Sequence, residues 1–296
     1  KEEHFQEEVA KAKSLLDNVT GELKRGNIEV TPELVKDLEL LEKAAVTDRE
    51  DKATDRLVSP IDPDARAGKK THKNWTGYKG HLIVEEDSEI ITAIETTPAN
   101  KDDGSQLKSL LHQQQTAFSL APAEFSGDKA YDSGANLEYL DIKGIRGNIS
   151  LSSAINTKGQ DLFKKEEFFY DAEKDSLICP AGHLAGIIRR DIVHTQGQKR
   201  SGRLFEFSHK LCAVCELRPL CFTGNTKIHG RAVHISYYEP WFQQMRERMN
   251  SKAGREAYRQ RYKIEHKVAD LARYCGMRRC RYRGLARAKI HTLLAA

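Results

Sequence analysis

Between Gly80 and Thr96 the chain reads GHLIVEEDSEIITAIET, two β-branched runs, Gly80–Val84 and Ile90–Thr96, joined by the polar segment Glu85–Glu89. Residues of this kind favour a pleated, half-buried surface, and a short polar join makes the pair a hairpin. DGSQLKSLLHQQQTA then predicts a helix over about residues 103–117, opening at Asp103–Ser105. A short run, Glu124–Ser126, ends in Gly127-Asp128; Gly134–Ile142 is helix-like and Gly144–Leu151 strand-like. Strand, strand, helix, strand, helix, strand is the order of a mixed sheet covered by helices, an α/β fold.

Around this centre the pattern changes. Residues 2–18 and 32–46 read as a helical hairpin, with Thr31 as cap and Pro32 pre-set for the first turn. Asp48 to Lys73 is charged and punctuated, so it is expected to be loop or linker, with order resuming at Trp75. Residues 152–235 are rich in Cys, His and turn formers and read as an inserted lobe. Helical periodicity returns at 240–250 and in one long helix from about Gly254 to Tyr274, and the chain stops inside the apolar helical pattern AKIHTLLAA, as a fragment would. The expected division is a helical segment 1–54, a first core part 55–151, an insertion 152–235 and C-terminal core helices 236–296.

No run of 18 apolar residues occurs, and the first 25 residues are charged from the start, so neither a membrane span nor a secretory signal is expected, and the sequence predicts a soluble, cytoplasmic protein. The balance of 48 basic to 43 acidic residues is only weakly basic, but its distribution is uneven. From Lys252 to Lys289 there are 13 Lys and Arg against Glu256, Glu265 and Asp270, too one-sided for a helix whose charges pair among themselves. Such a surface fits a polyanion such as DNA.

Asp128, at the C-terminal end of a short predicted strand, projects at the rim where ligands of open sheets gather. Tyr258, Arg261 and Glu265 are three and four residues apart, one face of a helix. Hard divalent cations take oxygen ligands, and two Mg²⁺ ions about 3.5–4 Å apart clamp an in-line displacement at a phosphodiester when carboxylates converge. Arg261 would steady a phosphate by bidentate contact. In the plainer alternative, Asp128 caps a turn and Glu265 pairs with Arg261 or Lys267. Trp75, Tyr78, Tyr131, Tyr258 and Tyr262 either stack on an unpaired base or pack within sheet and helix.

Four cysteines, Cys179, Cys212, Cys215 and Cys221, fall in CPAGH and CAVCELRPLC within the insertion. Together they fit a closed tetrahedral thiolate site for structural Zn²⁺, with His183 able to replace one thiol, as in a zinc ribbon. Four reduced, partly buried thiols are the alternative. Cys275 and Cys280, flanking a basic turn, are expected to be packing residues.

The Tyr-x2-Arg-x3-Glu spacing of Tyr258, Arg261 and Glu265 resembles the signature of DDE-class transposases related to the Tn5 enzyme, and GDKAYDSGANLEYLDIKGI resembles their second-acid segment. SPIDPDARAGKKTHKNWTGYKGHLIVEEDSEIITA is similar to the entry of the core sheet in one branch of bacterial insertion-sequence transposases, in which YDAEKDSLICPAGH and a later Cys cluster lie within the insertion. The resemblance spans about residues 55–290. It implies an RNase H-like core, with Asp128 as second and Glu265 as third catalytic acid around two Mg²⁺ or Mn²⁺ ions. It also implies transposon ends and target DNA as partners, and a homodimer as the active form.

Two positions depart from the pattern. Ala272 stands seven residues after Glu265, where a Lys is expected. No Asp-Ser-Thr or Asp-Gly-Thr precedes residue 55, so the first acid is expected upstream of Lys1, or at Asp62 or Asp64, and residues 1–46 would be an insertion between the first two core strands. A metal-dependent nuclease on the same core, and a non-enzymatic zinc and nucleic-acid-binding module, are the competing readings.

Overall fold

The computed structural model describes residues 2–26, 31–47, 55–70, 73–119, 121–152, 162–171, 173–193, 199–221 and 230–296. The chain forms two compact units, residues 1–121 with 260–296, and residues 122–259. It is a mixed α/β protein with several small sheets.

The first unit opens with α1 (Glu2–Arg25) and α2 (Pro32–Glu42), a pair of touching helices. Thr31 caps α2 by accepting from the Leu34 amide at 3.2 Å, and Pro32 occupies the first turn, where no amide is needed. Val9 and Val46 are the buried apolar side chains here.

Strands β1 (Arg66–Lys70), β2 (Lys73–Val84) and β3 (Ile91–Pro98) form an antiparallel sheet in that order. The expected hairpin is β2–β3, with Gly80 opposite Thr96 and a bulge at Ile83/Val84. Its turn is tied by the Glu85 carboxylate, which accepts from the Ser88 amide at 2.7 Å and the Ser88 hydroxyl at 2.6 Å. The stretch expected to be linker contains β1, a correction with a clear cause. Charged side chains are tolerated on an edge strand, and Gly68 lies opposite Trp75, whose indole occupies the space that a Cβ at residue 68 would need, 2.5 Å away. Order therefore begins before Trp75. Helix α3 (Leu107–Phe118) lays Leu107, Leu110 and Leu111 on β3, and the Gln113 side chain accepts from the Ile94 amide at 2.7 Å.

The second unit begins with β4 (Glu124–Gly127), α4 (Gly134–Ile142) and β5 (Arg146–Ile149), a crossover in which β4 and β5 pair in parallel, Gly127 opposite Ile149. Ser133 caps α4 by accepting from the Asn136 amide at 3.3 Å.

Next come the antiparallel pair β6 (Phe169–Asp171) and β7 (Ser176–Ile178), then β8 (Ile187–Val193) and β9 (Lys199–Glu206). A short helix, α5 (His209–Ala213), leads towards β10 (Ala232–Ser236), which completes an antiparallel sheet in the order β10-β9-β8. Phe168, Tyr170, Leu177, Phe205, Phe207, Val233 and Ile235 make one buried cluster, against which Cys179 and Cys212 pack. Helix α6 (Glu239–Asn250) contacts α4 and β5, and α7 (Lys252–Arg259) contacts β4 and β5. At the head of α6 the buried Glu239 carboxylate holds both Lys165 and Arg246.

The first unit resumes with α8 (Tyr262–Arg273) and α9 (Leu285–Ala295), and α9 packs on β3. One helix from Gly254 to Tyr274 was expected; two are present. Gln260 and Arg261 form a turn between them, closed by the Lys263 amide on the Gln260 carbonyl at 3.0 Å. Neither Gly nor Pro stands at the break. It coincides with the boundary between the two units.

Candidate active site

Asp128 directly follows the C-terminal residue of β4, in extended backbone, with an exposed side chain. Its Oδ1 accepts from the Ala130 amide at 2.9 Å and so caps the short turn Lys129–Tyr131. A carboxylate offers about four lone-pair sites, and this bond uses one of them. The turn is further held by Asp132, whose carboxylate accepts from the Ser152 amide just beyond β5 at 2.7 Å. Tyr131 packs edge-on against Phe125, with ring centroids 5.6 Å apart.

Behind these strands lies a polar cluster that sequence reasoning missed. Asn148, fully buried on β5, donates to Glu124 Oε2 at 2.9 Å, and its carbonyl oxygen accepts from Arg248 Nε at the same distance. Arg248 and Arg146 each pair with Glu124, at 3.1 and 3.0 Å. This locks β4, β5 and α6 together and fixes the strand that ends at Asp128. The only hint in the sequence is an Asn inside a strand, a residue rare there unless its amide is satisfied.

Glu265 lies in the first turn of α8, its side chain 65% exposed, and accepts from Arg261 at 3.1 Å. An acid at this position also suits the positive end of the helix dipole. Both plain alternatives are therefore realised: Asp128 caps a turn and Glu265 pairs with Arg261. Neither arrangement buries the carboxylate. Tyr258 belongs to α7, across the break, so the continuous helical face expected for Tyr258, Arg261 and Glu265 is interrupted.

Asp62 and Asp64 have structural work. Asp62 Oδ1 accepts from the Tyr78 hydroxyl at 2.5 Å and the Gly284 amide at 3.0 Å, and Asp64 accepts from the Leu285 amide at 2.8 Å. Together they anchor the start of α9. Burial and the Asp62 carboxylate push the Tyr78 hydroxyl well above its ordinary pKa.

Along the basic stretch, Lys267 pairs with Glu89 at 3.6 Å and Lys289 with Glu95 at 2.8 Å. Among the described residues no carboxylate pairs with Arg278, Arg279, Arg281, Arg283 or Arg287, all exposed. Exposed guanidinium groups of this kind are able to neutralise phosphates. Trp75 and Tyr78 serve packing and anchoring, while Tyr262 is exposed beside His266.

The four insertion cysteines line one cavity together with His183. All are partly buried free thiols, and burial raises the pKa of Cys221. Cys275 and Cys280, expected to be packed, are exposed; the Cys280 thiol donates to the Tyr282 carbonyl at 3.2 Å. The basic turn between them leaves no apolar wall to cover either.

An α/β protein with an exposed carboxylate at the end of a parallel strand, an acid in the first turn of a helix paired with the guanidinium just before it, and a row of arginines that no carboxylate among the described residues pairs with has the groups that metal-assisted phosphodiester chemistry uses. The chain matches the family described as "Transposase DDE domain" over residues 45–296, and it belongs to that family. No curated protein and no solved structure matches it. Membership makes it a transposase domain, with DNA as the family's substrate and divalent cations such as Mg²⁺ as its usual cofactors. Among the described residues no helix is long and apolar enough to cross a membrane.

Proposed function

We propose that this chain carries out metal-dependent DNA strand cleavage and strand transfer in transposition, on an RNase H-like core formed by residues 55–151 and 236–296, with residues 152–235 inserted as a Cys-rich lobe and residues 1–54 as a helical addition. Asp128 and Glu265 are two of its catalytic acids. The observation that carries this reading is the position of Asp128, an exposed carboxylate at the C-terminal end of a parallel strand, within a chain of the transposase family.

Each acid by itself is an exposed oxygen ligand of the kind that hard cations prefer, and among the described residues no three His, Cys, Asp or Glu side chains stand together at metal-holding distance. When bound, Mg²⁺ or Mn²⁺ would supply charge stabilisation at the phosphate and a more acidic water. Tyr258 and Arg261 contact the phosphate backbone, Arg261 by a charge-assisted fork. In cleavage, the oxygen of water attacks phosphorus and the bond to the 3' oxygen breaks, leaving a 3'-hydroxyl and a 5'-phosphate. In joining, that 3'-hydroxyl attacks a target phosphate and displaces the target's own 3' oxygen. The acting species is a homodimer in the cytoplasm.

Asp128→Ala and Glu265→Ala, in the transposase bearing this chain, should each lower Mg²⁺-dependent cleavage at the element's ends more than about 100-fold, since even outer-shell losses at metal sites cost 10–100-fold. Asp62→Asn, placed at the α9 anchor, should lower stability without removing cleavage from the folded fraction. Intact cleavage in both Ala variants would overturn the assignment.

A further inference from the structure

We infer that Cys179, Cys212, Cys215 and Cys221 hold a structural Zn²⁺ ion in the second unit, a site independent of the DNA chemistry. Residues 33 positions apart in sequence, Cys179 and Cys212, line the same cavity as Cys215 and Cys221. Thiolates select soft and borderline metals, and four of them in a closed tetrahedron are the hallmark of structural zinc.

The backbone around each cysteine is shaped for presentation. The Cys179 amide donates to the His183 carbonyl at 2.9 Å and the Cys179 carbonyl accepts from the Gly182 amide at 2.8 Å, a tight turn that needs Gly182 at φ +81°. On the other side, Cys212 and Cys215 bracket the end of α5, and successive turns, Arg218 amide to Cys215 carbonyl at 3.1 Å and Cys221 amide to Arg218 carbonyl at 2.9 Å, bring Cys221 back to the cavity.

The electrostatics suit a dianionic centre. Four thiolates around Zn²⁺ carry a net charge of about −2. Two guanidinium groups flank the site: Arg218 donates to the Cys212 carbonyl at 3.0 Å and Arg231 to the Cys221 carbonyl at 2.9 Å. The walls include the buried rings of Phe168 and Phe207. Among the described residues no three His, Cys, Asp or Glu side chains already stand at metal-holding distance, so the ion itself must draw the four thiols together. The gain is cross-linking of the β6–β7 segment to α5 and the turn that follows, over a cluster of only seven buried residues.

The protein purified under reducing conditions should carry about one zinc per chain by elemental analysis. Co²⁺ added to the metal-stripped protein should produce thiolate-to-metal charge-transfer and tetrahedral ligand-field absorption. Cys212→Ser and Cys221→Ser should each lose the zinc, whereas His183→Ala and the Cys275→Ser/Cys280→Ser pair should keep it. The cobalt titration of the unmutated chain keeps the test decisive if the Ser variants fail to fold. Absence of zinc together with absence of the cobalt bands overturns the inference, as does iron in place of zinc, retention of zinc in both Ser variants, or its loss in His183→Ala. None of these outcomes bears on Asp128 or Glu265.

Discussion

Single side chains set the local stability of each unit. Asn148 is the buried amide that joins Glu124 to Arg248, and Asn148→Ala leaves both half-buried side chains with fewer partners. It should cost about 1–3 kcal/mol, read as a lower midpoint in urea unfolding. His81 is buried on β2 with Nε2 2.8 Å from the Thr97 hydroxyl. Burial pushes its pKa below the ordinary 6.5, against the opposing pull of Asp103. A depressed histidine favours the neutral form in the fold, so its contribution is complete above about pH 6.5 and declines as pH falls from there towards the folded value, where the unfolded chain binds the extra proton. His81→Gln should lose less thermal stability than the unmutated protein between pH 7 and pH 5, measured by circular dichroism; an equal or larger loss would exclude this role.

At the level of elements, the legible parts were those with strong periodicity and short-range punctuation. The hairpin Gly80–Thr96, the helix Gly134–Ile142 and the strand ending at Gly127 follow from alternation and turn residues alone. β1 was not legible, because RAGKK has no apolar face: its pairing depends on Trp75 across the strand. Nor was the break at Gln260–Arg261, where both residues favour helix and no local signal marks a stop. The placement of Asp128 just after a strand and of Glu265 in a helix was legible, while the Asn148 cluster behind β4 joins residues a hundred or more apart and leaves no local pattern. Close packing gives an element-scale test. A Cβ at Gly254 would come within 2.0 Å of the Arg248 carbonyl, backbone that cannot yield without moving α6 or α7. Gly254→Ala should therefore destabilise the second unit by about 1–3 kcal/mol, the range for overpacking, although Ala is the better helix former; a stabilised variant would contradict the packing.

The molecule as a whole combines membership of the transposase family over residues 45–296 with two exposed acids and a row of arginines without carboxylate partners among the described residues. The central claim is that Asp128 and Glu265 serve the reacting phosphate. It is tested most directly by joining of a precut transposon end, bearing a free 3'-hydroxyl, to a target duplex in Mg²⁺, comparing the unmutated transposase with Asp128→Asn and Glu265→Gln. The account predicts joined product from the unmutated protein and a loss of more than about 100-fold in each variant, with circular dichroism and DNA binding in gel shift retained. Joined product at undiminished rate in both variants, or hydrolysis without any joining by the unmutated protein, would contradict it.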